Sequence, residues 1–245
     1  MSGTTPAIIA ENLHKRYGGT VAVDDVSLHV EAGAVLGVLG TNGAGKTTTV
    51  EMIAGLRRPD RGRVGVLGLD PRRDRAKVRQ VLGVQLQQAY LHGALTVAEL
   101  IGLYRSFYPA PRPAEELLEL VGLGEQRAVR FEKLSGGQQQ RLSIALALAG
   151  RPRVVILDEL TTGLDPRARR QMWKTIERLR DEDVTIVLVS HAMEEVERLC
   201  DHVALLDAGR VVAFDTPAGL VSRAGAENLD EAFVALTGKE LEEAQ

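Results

Sequence analysis

The run Gly40-Thr41-Asn42-Gly43-Ala44-Gly45-Lys46-Thr47 matches the phosphate-loop pattern G-x-x-x-x-G-K-[ST] at every fixed position. It also has the flanks that this pattern requires. Ala34-Val35-Leu36-Gly37-Val38-Leu39 reads as a short buried strand, and Thr48-Thr49-Val50-Glu51-Met52-Ile53-Ala54 reads as the first turns of a helix. Glycines let main-chain N–H groups turn inward around a phosphate without Cβ clashes. The helix N-terminus adds unpaired donors and partial positive charge. In such a loop Lys46 reaches the β- and γ-phosphates and the Thr47 hydroxyl ligates Mg²⁺. The alternative, a glycine-rich turn with a surface lysine, needs no full match and no strand–loop–helix context. The expected ligand is a nucleoside triphosphate, held by Asn42, Gly43, Ala44, Gly45, Lys46, Thr47 and Thr48.

The remaining composition narrows the setting. A chain of 245 residues, 44% hydrophobic and 26% charged, is ordinary for a globular protein with an ample core. A net charge of −3 supplies no bulk attraction to nucleic acid. The basic segments at 57–63 and 72–79 are interleaved with acids and lack aromatic platforms, so they read as solvated faces. A single cysteine, Cys200, excludes an internal disulfide framework, fits a reducing cytosol and reads as a small apolar filler. No apolar run approaches the roughly 20 residues needed to span a bilayer. The start, Met1–Pro6, has neither the basic nor the apolar region of a signal peptide.

Short alternating strands are expected at Ile8-Ile9, Val21–Val23 and Val26–Val30, separated by Tyr17-Gly18-Gly19 and Asp24-Asp25. Val64–Leu69 and Val81–Gln87 are further strand candidates. From Thr96 to Arg130, leucines at helical spacing predict two helices divided by Pro109, Pro111 and Pro113. Another helix is expected over Gln138–Leu148. The pattern then returns to α/β: strands at Val154–Leu157 and Val184–Val189, helices at Ala168–Arg180 and Ala192–Leu199, and a hairpin around Asp207-Ala208-Gly209-Arg210. A helical block near 96–150 therefore interrupts a nucleotide-binding α/β core.

Leu157-Asp158-Glu159 closes one buried strand, where a carboxylate faces the ligand crevice of a parallel sheet. Asp158 is placed to hold Mg²⁺ opposite Thr47, and Glu159 to accept a proton from an attacking water. Two acids that merely begin a loop are the plainer reading, weakened because the two motifs supply complementary halves of one metal site. Leu134-Ser135-Gly136-Gly137-Gln138-Gln139-Gln140-Arg141 leads into a helix and offers a second phosphate-seeking surface. One triphosphate does not need two such surfaces on one chain, which implies that a second copy closes the nucleotide with Ser135, Gly136, Gly137 and Gln138. Ser135 as a plain helix N-cap is the competing reading. The histidines His14, His29, His92 and His202 form no metal-ligand spacing.

Together these motifs resemble the ATP-binding-cassette (ABC) ATPases, the motor subunits of ABC transporters, from about Ile8 to Phe214. The resemblance implies an α/β fold: a P-loop NTPase (RecA-like) core, an N-terminal antiparallel β subdomain and an inserted α-helical subdomain. The corresponding division is core at 1–87 and 151–220, helical signature subdomain at 88–150, and C-terminal helical tail at 221–245. It implies that Tyr17 stacks on adenine, although a tyrosine before Gly-Gly is by itself a turn or packing residue. It implies that Gln87 contacts Mg²⁺ and the attacking water, with Gln85 and Gln88 as neighbouring alternatives in register. Asp165, in Gly163-Leu164-Asp165-Pro166, resembles the loop that crosses the dimer interface. His191 resembles the switch histidine on the γ-phosphate, although a lone histidine after a strand also serves as a cap. Thr41, Leu160 and Gln139 depart from the commonest family pattern, and none of them removes a phosphate-contacting group.

The implied cofactors are ATP and Mg²⁺. The implied partners are a second ATPase copy and a separate transmembrane permease, docked near Gln87–Thr96 with Tyr90 and Leu91 as candidate contacts or as core packing. The implied location is the cytoplasmic face of the cell membrane. Gly-Leu-Asp-Pro, the segment Ser190–Asp201 and the C-terminal Leu229–Gly238 resemble exporters of the drug-resistance type. A non-transport cassette ATPase acting as an assembly scaffold is the other reading. A module that binds without hydrolysing is disfavoured by Glu159 and Gln87.

Overall fold

The computed structural model describes residues 6–86 and 91–239. The chain opens with two long antiparallel strands, β1 (Ile8–Tyr17) and β2 (Thr20–Val30). After β3 (Val35–Leu39), helix α1 (Lys46–Ile53) and strand β4 (Arg61–Val66), the segment α2 (Arg75–Val81) leads into β5 (Leu82–Gln85). Three helices follow: α3 (Val97–Arg105), α4 (Ala114–Val121) and α5 (Gly136–Ala147). The chain then alternates β6 (Val154–Asp158), α6 (Pro166–Asp181), β7 (Thr185–Val189) and α7 (Met193–Leu199). It ends in the hairpin β8 (His202–Asp207) and β9 (Arg210–Asp215), then α8 (Pro217–Ala224) and α9 (Leu229–Thr237).

Two sheets result. One is antiparallel with order β2-β1-β4; the other has order β5-β6-β7-β3-β8-β9 and is parallel except for the last pair. Side chains of a strand alternate between faces, so the central strands divide between two cores. Leu36, Val38, Val154, Ile156, Val187 and Val189 meet α1 and the antiparallel sheet. Val35, Leu39, Val155, Leu157, Ile186 and Leu188 meet the helices from α3 onward. Burial on both faces explains why β3, β6 and β7 are near-continuous Val/Ile/Leu runs instead of alternating ones.

Several expected boundaries are corrected. β2 runs unbroken through Asp24-Asp25, because Asn12 and Asp25 both adopt left-handed backbone (φ 49° and 62°) and form a bulge pinned by an Asn12 Nδ2 to Asp25 Oδ1 bond of 2.8 Å. β1 continues from Ile8 to Tyr17, well past Ile9. β4 ends at Val66, where Leu67 and Gly68 turn with positive φ. The strand expected over Val81–Gln87 begins only at Leu82, and the basic stretch before it is helix α2. The two leucine-rich helices are present on either side of the prolines, joined at Pro113, the N-cap of α4. Among the described residues no helix is long and apolar enough to cross a membrane.

Candidate functional site

The phosphate loop lies between the end of β3 and the start of α1, braced by two neighbouring turns. Gly45 caps α1 with φ 97°, and a Cβ there would overlap the Ala22 carbonyl oxygen, so β2 packs directly on the loop. The Ala44 carbonyl accepts from Gly209 N at 3.1 Å, which brings in the β8–β9 turn. Lys46 Nζ donates to the carbonyls of Gly40 (2.8 Å) and Thr41 (3.0 Å). Thr41 thus contributes its main chain, which any residue at that position supplies. Ala44 is buried, Asn42, Gly43 and Thr47 are exposed, and Gly45, Lys46 and Thr48 are half-buried.

Burial pulls the Lys46 ammonium below its usual range, opposed by the charges of Asp158 and Glu159. Asp158 ends β6 and Glu159 opens the loop after it. Asp158 is 3% exposed, its Oδ2 is buried without a hydrogen-bond partner among the described residues, and its carboxyl is pushed up to about 6 by burial and by the Glu159 charge, against the pull of Lys46. The main chain of Asp158 donates to Gln85 Oε1 at 3.1 Å, and Gln85 is itself buried. The Gln85 side chain thus joins β5 to β6. Gln87 and Tyr90 lie outside the described residues. Leu91 is partly buried against the helical core.

Glu159 takes left-handed backbone, φ 56°. Its N–H donates to Val189 O at 2.8 Å, at the end of β7 and beside the half-buried His191. Its carbonyl accepts from the side-chain amide of Gln140 on α5. The next residue, Leu160, is fully buried in the helical core and anchors the loop.

Ser135 is the N-cap of α5 in a capping box with Gln138: Ser135 Oγ accepts from Gln138 N at 3.3 Å, and Gln138 Oε1 accepts from Ser135 N at 2.9 Å. The plain cap reading of Ser135 is thus met within one chain. Ser135 and Gly136 nevertheless stay exposed, so capping leaves this turn open to a neighbour. A Cβ on Gly137 would press on Leu164 Cδ2, at 2.8 Å, so the turn packs against the loop that carries Asp165. Asp165 caps α6, accepting from Arg167 N at 2.8 Å and Ala168 N at 2.9 Å. Gln139 ties the turn to the preceding segment through the carbonyls of Phe131 and Leu134.

Tyr17 ends β1, 40% exposed, with the Arg57 guanidinium 5.4 Å and the Lys15 ammonium 5.6 Å from its ring centroid. Arg57 is in turn paired with Glu51 of α1 at 2.8 Å, which holds the ring near the helix that the phosphate loop begins. Gln140 and Arg57 were not legible in the sequence, because each acts through a contact between separate segments.

The chain matches the family model described as ABC transporter over residues 23–162. The linearmycin resistance ATP-binding protein LnrL of Bacillus subtilis (strain 168) is 37% identical over 225 residues, 90% of this chain and 72% of that protein. The daunorubicin/doxorubicin resistance ATP-binding protein DrrA of Streptomyces peucetius is 41% identical over 230 residues, 92% and 70% respectively. Among solved structures, an ATP-binding subunit of an ABC transporter superposes with a TM-score of 0.86 at 28% identity, covering 95% of this chain and 99% of the other. The dimeric ATP-binding cassette MJ0796, in a post-hydrolysis state with ADP and Pi, gives 0.77 at 25% identity over 85% and 98%. A phosphate loop, a paired acid at the end of β6 and a serine–glycine turn capping α5, in one cassette fold, agree with those likenesses: the chain belongs to the ABC transporter family, as an ATP-binding, ATP-hydrolysing subunit.

Proposed function

We propose that two copies of this chain clamp two ATP molecules head to tail and that their opening and closing drive a separate membrane permease in export. The observation that carries the reading is the buried Asp158 Oδ2, without a hydrogen-bond partner among the described residues, beside Glu159 at the carboxyl end of a parallel strand and under the electrostatic influence of Lys46. The exposed Ser135-Gly136 turn supports closure by a neighbour, since helix capping leaves it accessible. The names of LnrL and DrrA, resistance ATP-binding proteins, support export. In this reading the helical block 88–150 is the signature subdomain, flanked by core segments 1–87 and 151–220 and followed by the tail 221–245. The protein works at the cytoplasmic face of the membrane, held there by its permease.

The Gly40–Thr47 loop cradles the phosphates, Lys46 spans the β- and γ-groups, and Tyr17 stacks on the base. The donor set fits Mg²⁺: a Thr47 hydroxyl and one Asp158 carboxylate are hard oxygen ligands, and this ion takes few protein ligands beside phosphates and water. Gln87 completes that set. Held by Thr47 and Asp158, Mg²⁺ would supply positive charge to offset that of the phosphates. Glu159 accepts a proton from water as its oxygen bonds to the γ-phosphorus and the bond to the bridging oxygen breaks, releasing ADP and phosphate. His191 donates to the γ-phosphate, and Ser135, Gly137 and Gln138 of the second copy cover it, with Asp165 at the seam. Loss of the γ-phosphate removes the bridge between copies, and the dimer opens.

Glu159→Gln tests the reading. It is expected to abolish turnover while MgATP converts the variant from monomer to dimer by light scattering. Wild-type turnover in the variant would remove Glu159 as the base.

A further inference from the structure

Among the described residues two carboxylates are buried, Asp158 and Glu195, and only Asp158 has a part in the chemistry above. Glu195 is 1% exposed on the inner face of α7. Its Oε2 accepts from Ser190 Oγ at 2.7 Å, and its Oε1 from Trp173 Nε1 at 3.4 Å. The buried Thr161 hydroxyl also favours the ionised carboxyl. These three residues sit on three separate segments. Thr161 lies two residues past Glu159, Ser190 immediately precedes His191, and Trp173 belongs to α6. Ser190 Oγ also accepts from Ala192 N at 3.1 Å, so it spans the turn on which His191 sits.

An apolar side chain at this position would fill the same space without the cost of desolvating a carboxylate. What the carboxylate adds is a hydrogen-bonded side-chain tie among these segments. We propose that Glu195 is the positioning residue that makes the Glu159 loop and the His191 loop move as one unit. Main-chain geometry points the same way, since Glu159 N is bonded to Val189 O just before Ser190. A shift of His191 upon meeting or losing the γ-phosphate therefore carries the base with it. The base is presented only when the switch histidine is engaged.

This inference rests on the roles proposed for Glu159 and His191, so its test includes a readout that needs no hydrolysis. Glu195→Gln and Ser190→Ala are made in the full chain, alone and with His191→Ala. Hydrogen exchange of the amides at 160–165 and 190–193 is expected to quicken together in both single variants. Turnover is expected to fall about tenfold with KM within about twofold. The double variant Glu195→Gln/His191→Ala is expected to turn over no more slowly than His191→Ala alone. If Glu195→Gln fails to fold, Ser190→Ala cuts the same link and carries the test. A purely structural role would lower Tm and leave kcat unchanged, which overturns the proposal. Exchange that quickens in one loop only, or a double variant that loses the product of both single effects, also overturns it. Coupled exchange in a protein whose wild type hydrolyses no ATP would sustain the tie and refute the motor reading instead.

Discussion

The side-chain amide of Gln140 donates to the main-chain carbonyl of Glu159, joining helix α5 to the loop that follows β6. The helix that begins with the serine–glycine turn thereby steadies a residue in left-handed backbone. Gln140→Ala removes that support without touching the Glu159 carboxylate. Steady-state kinetics are expected to show kcat down roughly tenfold, because a base displaced by a fraction of an ångström loses its alignment with water. ATP affinity by calorimetry is expected to be unchanged. A parallel loss of affinity would place Gln140 in binding instead.

Asp158 couples stability and ligand binding to pH in opposite senses. Its carboxyl is raised from 3.8 to about 6, so the folded chain holds this proton where the unfolded chain has released it. Stability from this group is full below about 3.8, falls as pH rises through about 6, and is flat above that. Asp158→Asn removes the burial of a charge, and at pH 7–8 its Tm is expected to exceed that of the wild type by several degrees. The advantage disappears near pH 4. Mg²⁺-dependent ATP binding moves the other way, because the ligating form is the carboxylate. In the wild type it is expected to weaken about tenfold per unit below pH 6, with proton release on binding. Thermal scans and calorimetry from pH 4 to 8 check both.

Arg112 holds the helical block to the core. It is 3% exposed, with Nη1 2.7 Å from Glu116 and Nη2 2.6 Å from Glu182. Arg112→Ala leaves Glu116 and Glu182 with the more exposed Arg178 as their shared partner and is expected to cost about 2–4 kcal/mol by urea unfolding. The Arg112 guanidinium holds the Glu182 carboxyl below its usual 4.5. That contribution is present above 4.5 and lost as pH falls, so the variant is expected to lose less stability on acidification than the wild type.

The site and the fold were legible to different depths. The phosphate loop and its flanking strand and helix were readable because every contact that defines them is local. The β6 and β7 strands were readable because burial on both faces leaves no polar interruption. Helix α2 was not, since Val78 alone is buried and no apolar stripe marks it. The Asp24-Asp25 break was misread because the bulge that absorbs it depends on Asn12 across the hairpin. Glu194 and Glu195 are alike in sequence, yet one is exposed and the other buried. Only the packing of α7 against α6 distinguishes them. The inward bond of Gln85 to Asp158 was hidden in the same way, because it joins residues 73 positions apart.

The head-to-tail clamp is tested most directly by mixing two inactive variants, Lys46→Ala and Ser135→Arg. Each homodimer lacks a working half in both sites. In a mixed dimer the damaged halves fall together, and the intact Lys46 of one copy meets the intact Ser135 of the other. Random mixing at equal concentration is expected to restore ATPase activity to about a quarter of wild type, one good site in half of the dimers. A mixture no more active than its separate components would contradict a nucleotide site shared between two copies.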